Sequence, residues 1–179
     1  MKLKVRRFSE IDISTRVNWI NDLRINENMS FELPATIEKT FVWHNKNINN
    51  SSRIDFTVLN EYTVVSMGGY TFINETDSNA EFYIMVNPGM LGQGIGSKVS
   101  MWLFNYAFIV MKLNKIYLYT NEDNTHAYRI YEKCGFKLEG VLREHKYKNG
   151  YYKNRLFYGL LRSEWENLAW AQKKIDYEF

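Results

Sequence analysis

Met90-Leu91-Gly92-Gln93-Gly94-Ile95-Gly96-Ser97-Lys98 stands between a strand-like alternation and a long apolar helical pattern. Amides in the first turn of a helix have no intrahelical partner, and the helix dipole favours an anion there. Glycines let the backbone come close to such an anion, so that several N–H groups converge on it. Beside the simple reading of a tight turn, three ligand readings compete. A P-loop needs Gly-Lys followed by Ser or Thr, and Ser97-Lys98-Val99 breaks that order. A dinucleotide fingerprint needs glycine where Ser97 stands, and it should open a βαβ unit. The third reading is a cradle for the diphosphate of coenzyme A.

Upstream of this loop, Lys2 to Phe8 alternates polar and apolar residues and predicts a first strand. Residues 12–26 and 36–49 read as two helices, the second entered through Pro34-Ala35-Thr36 with Glu38 close behind. Residues 53–59 and 64–73 predict strands joined by a turn near Asn60-Glu61, and residues 80–86 a third after the polar turn 75–79. The middle of the chain is therefore an antiparallel meander.

Downstream, residues 94–111 carry Ile95, Val99, Leu103, Tyr106 and Val110 at helical spacing, so they predict a helix with a wide apolar face. Residues 115–120 predict a strand and residues 124–134 a short helix stopped by Gly135. Residues 136–147 and 151–161 flank Asn149-Gly150, a dipeptide suited to a tight hairpin turn. Ser163-Glu164-Trp165-Glu166 begins a terminal helix. The expected fold class is α+β: a single domain over residues 1–179, with a mixed, mostly antiparallel central sheet flanked by helices rather than a doubly wound one.

Composition narrows the function classes. At 179 residues, with 45% hydrophobic and 24% charged residues, the chain has the material for one core and is not a disordered composition. One Cys and three His give no disulfide and no zinc site, so no metal is expected. The start lacks a signal-peptide apolar region, and no apolar run reaches the ~18 residues of a membrane span. A soluble, most simply cytoplasmic protein is expected, with no membrane partner. A net charge of +3 is too small to indicate nucleic acid, although a basic RNA-associated protein is a class to test against.

A second segment gives the loop its context. Asn124-Thr125-His126-Ala127-Tyr128-Arg129-Ile130-Tyr131-Glu132-Lys133-Cys134-Gly135-Phe136 resembles the Asn-x-x-Ala-x-x-x-Tyr-x-Lys-x-Gly-Phe signature of the GNAT acetyltransferase superfamily. The glycine loop lies upstream at the separation that family shows, with one helix and one strand between. Residues 80–162 carry the resemblance best, and the tail from Gly135 to Arg143 with its Asn-Gly hairpin is similar to the ribosomal-protein, polyamine and amino-sugar branches. The resemblance implies a sheet splayed at an acetyl-CoA site and binding of the co-substrate by Gly92, Gln93, Gly94, Ile95, Gly96 and Ser97. It further implies pantetheine contacts from Asn124 and from backbone groups near Val86. The family usually opens the loop with Gln or Arg where Leu91 stands, and Gln93 is a polar side chain inside the loop.

The implied reaction is attack by an amine on a thioester. An alkyl amine with a pKa near ~10 is mostly protonated at neutral pH, so a site must take that proton and stabilise a leaving thiolate whose thiol has a pKa of about 8.5. Tyr131 falls on the signature tyrosine and lies two helical turns beyond Asn124 on the same face, which makes it the candidate acid; the alternative is a packed core aromatic. Asn124 is also the expected N-cap of its helix. Glu81 opens the strand leading into the loop, sharing a face with Tyr83 and Met85, and is the candidate base; the alternative is a salt bridge to a neighbouring strand. Phe82, Ile84 and Val86 read as the core face. Cys134, at a helix end beside Gly135, reads as packing.

For the acceptor, residues 136–162 hold seven Lys and Arg against two Glu, a net of +5. That surface would not draw a polyamine. The expected acceptor is a small-molecule amine, with an amino-sugar nucleotide leading and a polyamine or a ribosomal-protein N-terminus as alternatives. A non-catalytic acyl-CoA-binding module and a homodimer complete the expectations. Trp19, Trp43 and Phe31 are candidates either for an acceptor pocket or for packing the two early helices.

Overall fold

The structure, a computed structural model, describes residues 3–29 and 31–172. Lys2, the expected start of the first strand, lies outside them. The chain divides into two compact units, one taking the residues up to 73 with 83–100, the other taking 74–82 with the chain from 101 on.

The first unit opens with β1 (Leu3–Arg7), followed by α1 (Ile13–Asn21), α2 (Leu23–Asn26), α3 (Ile37–Asn47), β2 (Ile54–Asn60) and β3 (Thr63–Asn74). β1 pairs antiparallel with β2 from Leu3↔Asn60 to Arg7↔Phe56, and β2 with β3 from Ile54↔Tyr70 to Asn60↔Thr63. The helix expected over 12–26 is broken. A 3-10 turn at Glu10–Asp12 precedes α1, and Asp22 interrupts the run in an extended conformation. Its carboxylate accepts from the Arg24 amide at 2.9 Å, so a short polar side chain competes with the helix and caps a new one. Thr36 caps α3 by accepting from the Lys39 amide, with Glu38 in the first turn. Phe8, Ile13, Val17, Trp19, Ile20, Ile25, Met67 and Met85 form this unit's buried cluster.

The second unit contains β5 (Lys115–Asn121), α5 (Thr125–Lys133), β6 (Lys137–Lys148), β7 (Tyr151–Leu161) and the single-turn α6 (Arg162–Trp165). Two elements run through both units: β4 (Asn79–Val86) and α4 (Ile95–Ile109). Strand order is β1-β2-β3-β4-β5-β7-β6 in one seven-stranded sheet. β4–β5 is parallel, while β1–β2, β2–β3, β5–β7 and β6–β7 are antiparallel, giving the α+β class.

Leu103, Phe104, Ala107 and Phe108 of α4 are fully buried, as are Ile116 and Leu160. Phe104 packs on Phe82 and Phe136 with ring centroids 4.8 and 4.9 Å apart. Asn105, between Phe104 and Tyr106 of α4, is buried with its carbonyl oxygen satisfied by the Trp165 indole at 2.9 Å and the Gln172 amide at 3.1 Å. It fastens the chain after β7. No described helix is long and apolar enough to cross a membrane.

Candidate active site

The two compact units each carry part of the expected machinery. In the first, β4 ends at Val86, and Pro88–Met90 makes a 3-10 turn capped by Asn87, whose side chain accepts from Gly89 at 2.9 Å. Gly92 (φ 78°) and Gly94 (φ 73°) then take left-handed conformations that a side chain would strain. A Cβ built on either meets nothing within 4 Å, so the space above the loop is open. Gly94 accepts the first helical bond, from Lys98 at 3.3 Å, which places the free amides of the first turn just after it. Gly96 lies close to β4: a Cβ there would be 3.4 Å from Val86 Cγ2. Ile95 is 1% exposed, so only its backbone is available, whereas Leu91 and Gln93 are exposed. The loop therefore leaves first-turn amides facing open space, the main-chain arrangement a diphosphate would need.

Tyr83, beside it on β4, donates to Asp55, which also receives a bidentate pair from Arg53 at 2.7 and 2.8 Å. Burial and the Asp55 charge raise the phenol pKa. Trp43 stacks under two guanidiniums, 4.3 Å from Arg16 and 4.8 Å from Arg53, while Trp19 is a core residue. Of the aromatics named for a pocket, Trp19 packs the helices, and Phe31 and Trp43 lie partly buried against the same cluster.

In the second unit, Glu81 sits on the last rung of the parallel ladder, which pairs Asn79↔Lys115, Ala80↔Ile116 and Glu81↔Tyr117 while β5 continues to Asn121. Among the described residues no cation comes within ion-pair distance of Glu81. Burial raises its carboxyl pKa, and the more distant Arg155 charge partly offsets this. In place of the alternative reading, a salt bridge to a neighbouring strand, there is a longer-range interaction.

Tyr131 lies on α5, whose N-cap is Asn124, accepting from the Ala127 amide at 3.3 Å. Gly135 (φ 93°) closes the helix: its amide bonds the Glu132 carbonyl at 2.9 Å and the Phe136 amide bonds the Tyr131 carbonyl at 3.0 Å. This pair of bonds is a Schellman ending, in which the left-handed residue suits glycine. Tyr131's ring meets Phe82 at 6.2 Å and Phe136 at 5.9 Å, and desolvation raises its phenol pKa. Cys134 is 1% exposed, and burial pushes its thiol up to about 11, which keeps it a thiol and a packing residue.

Two residues on the sheet face that carries Glu81 went unmarked as site candidates. Arg155 and Asn121 face each other across β5–β7, and each holds a buried nitrogen without a hydrogen-bond partner. Period two along β5 already puts Tyr117, Tyr119 and Asn121 on one face, but only the register with β7 brings Arg155 to it. Among the described residues no group of His, Cys, Asp and Glu could hold a metal ion.

Comparison with known proteins gives a consistent result. The family described as "Acetyltransferase (GNAT) family" matches residues 20–136. The chain is 31% identical over 113 residues to a spermidine N(1)-acetyltransferase of Escherichia coli K12, covering 63% of this chain and 61% of that enzyme's own length. It is 29% identical over 156 residues to the Vibrio cholerae spermidine N(1)-acetyltransferase, covering 84% of this chain and 90% of the relative. A crystal structure of spermidine N-acetyltransferase from Vibrio cholerae, in complex with CoA and spermine, superposes with a TM-score of 0.87 at 28% identity, covering 92% of this chain and 98% of that one.

Proposed function

Because the chain belongs to the GNAT acetyltransferase family, whose members take their acetyl group from acetyl-CoA, we propose that it transfers that group to the primary amine of a small molecule by direct attack. The observation that carries this reading is the loop at the head of α4, with left-handed Gly92 and Gly94 and open space above them. Main-chain amides of residues 92–97 hold the diphosphate of the co-substrate, where N–H groups and helix dipole favour negative charge. Backbone groups near Val86 and the Asn124 side chain hold the pantetheine arm.

Glu81 takes the proton of the ammonium, directly or through water, and the freed nitrogen bonds the thioester carbon. The C–S bond breaks as this bond forms, its electron pair leaving on sulfur toward the Tyr131 hydroxyl, and the surplus proton of the newly bonded nitrogen neutralises the thiolate. No covalent enzyme intermediate is involved, in keeping with the inert Cys134. The protein works as a soluble cytoplasmic enzyme.

An anionic amine such as an amino-sugar nucleotide is the preferred acceptor, supported by the cationic balance of residues 137–162. A polyamine is the second reading, favoured by the names of the relatives. The test is CoA-thiol release from acetyl-CoA with UDP-linked amino sugars, spermidine and basic peptides as acceptors. Turnover confined to the amino sugars supports the first reading, turnover of spermidine the second, and no turnover with any amine removes the enzyme reading.

A further inference from the structure

The sheet face that carries Glu81 continues across β5 and β7 within the second unit. Glu81 pairs with Tyr117, and Tyr119 and Asn121 follow on the same face of β5. Across the antiparallel ladder, Tyr119 is opposite Phe157 and Asn121 opposite Arg155, so their side chains are neighbours. The Arg155 guanidinium lies over the Tyr119 ring, 4.7 Å from its centroid, and interacts electrostatically with Glu81. Asn121 is only 2% exposed.

Two hydrogen-bond donors in this cluster are buried and unpaired: Nε of Arg155 and Nδ2 of Asn121. A buried donor that has lost water without gaining a partner costs free energy, so native structures satisfy nearly all of them. Here two orphans stand side by side, on the sheet face that also carries the candidate base, and both lack an oxygen. The surrounding charge points the same way. Burial, and after it the like charges of Lys148, Arg155 and Lys153, push the Lys146 ammonium down to about 8. The Asp123 charge offsets part of this, and Asp123 is itself paired with Lys153. A polyamine brings more cations and more donors to such a place. An anionic oxygen supplies what is missing.

We propose that Arg155 and Asn121 form the specificity-determining subsite for the amine substrate, binding an anionic oxygen, a phosphate or a carboxylate, of the molecule whose amino group is acetylated beside Glu81. Arg155 is half-buried and meets an incoming solute first; the Asn121 amide adds the second bond. The subsite rests on the transferase reading for its place on the sheet face that carries the base, but its binding chemistry is measurable apart from turnover.

The experiment uses the full chain with saturating acetyl-CoA and two probes, glucosamine 1-phosphate and spermidine. In ¹⁵N spectra, the Asn121 side-chain amide and the Arg155 Nε–H should shift saturably with the amino-sugar phosphate and stay in place with spermidine. Inorganic phosphate, as a third probe, should shift them more weakly, and glucosamine without phosphate should not. In steady-state assays, Arg155→Gln and Asn121→Ala should lower the kcat/KM ratio of glucosamine 1-phosphate over spermidine about tenfold or more, mainly through KM. Resonances that ignore the phosphate-bearing probes, or that respond equally to spermidine, overturn the subsite. So does a ratio within twofold of wild type in both variants. Saturable shifts without turnover of either amine keep the subsite and sink the transferase reading instead, so the two fail separately.

Discussion

Tyr131 is held by its carbonyl and its ring, and among the described residues no hydrogen bond engages its hydroxyl. That hydroxyl keeps its proton across the physiological range, because desolvation raises its pKa. An ordinary phenol is already a weaker acid than a thiol of pKa about 8.5 and the shift widens that gap, so its main contribution is a hydrogen bond to the departing thiolate rather than outright proton release. Tyr131→Phe should therefore lower kcat about tenfold to a hundredfold, with the acetyl-CoA dissociation constant little changed in calorimetry. An unaltered kcat removes Tyr131 from the chemistry. Glu81 has the opposite requirement, since a base acts only when deprotonated. Burial raises its pKa, so the acid limb of kcat/KM should inflect above the ordinary 4.5. Glu81→Gln should abolish that limb and lower the plateau. Because the Arg155 charge lowers the Glu81 pKa, Arg155→Gln should move the limb to still higher pH. A limb that does not move in either variant shows that Glu81 is not the base.

The elements owe their positions to a few polar residues, and these differ in how visible they are in the sequence. Asp12 is 1% exposed and gathers β1, α1 and β2: Arg6 donates to it twice at 2.6 and 2.7 Å, the Ser9 amide once at 3.0 Å, and Thr57 once at 2.9 Å. Asp12→Ala leaves Arg6 and Thr57 without their acceptor, at a cost on the order of 3 kcal/mol, less than for a wholly buried pair because Arg6 is partly solvated. The urea midpoint should fall with an unchanged m-value, whereas no shift would show that water replaces the carboxylate freely. Ser9-Glu10-Ile11-Asp12 announces only its local capping box and not the hub, because Thr57 arrives from a distant strand. The break at Asp22 was hidden for another reason: aspartate prefers a cap to a helix interior, but the apolar spacing on either side of it continues and outweighs that single signal. By contrast the Schellman ending was legible at Gly135 and the hairpin at Asn149-Gly150, where φ is 54° and 89°, because local backbone demands select the residue type directly. The Asn121–Arg155 pairing is the converse case. Each residue is ordinary in its own strand, and only the cross-strand register makes them partners.

At the scale of the whole molecule, a ligand that binds the folded chain and not the unfolded one must raise its melting temperature. At a hundredfold excess over its dissociation constant, acetyl-CoA adds about 2.7 kcal/mol. For a chain of 179 residues, that corresponds to roughly 5–10 °C in Tm. The shift should grow with the logarithm of ligand concentration and be shared by CoA itself, since the diphosphate and pantetheine are common to both. Gly94→Val tests where the effect originates. Its φ of 73° puts a β-branched side chain in the left-handed region and raises a Cβ into the open space above the loop. The variant should melt lower without ligand and lose most of the ligand-induced shift, while its far-UV dichroism stays that of the parent. A full shift in Gly94→Val would locate the diphosphate elsewhere. No shift in the parent at any concentration, joined to nucleic-acid binding that falls steeply with salt, would mean that the +3 charge serves RNA and that the glycine loop is only a turn.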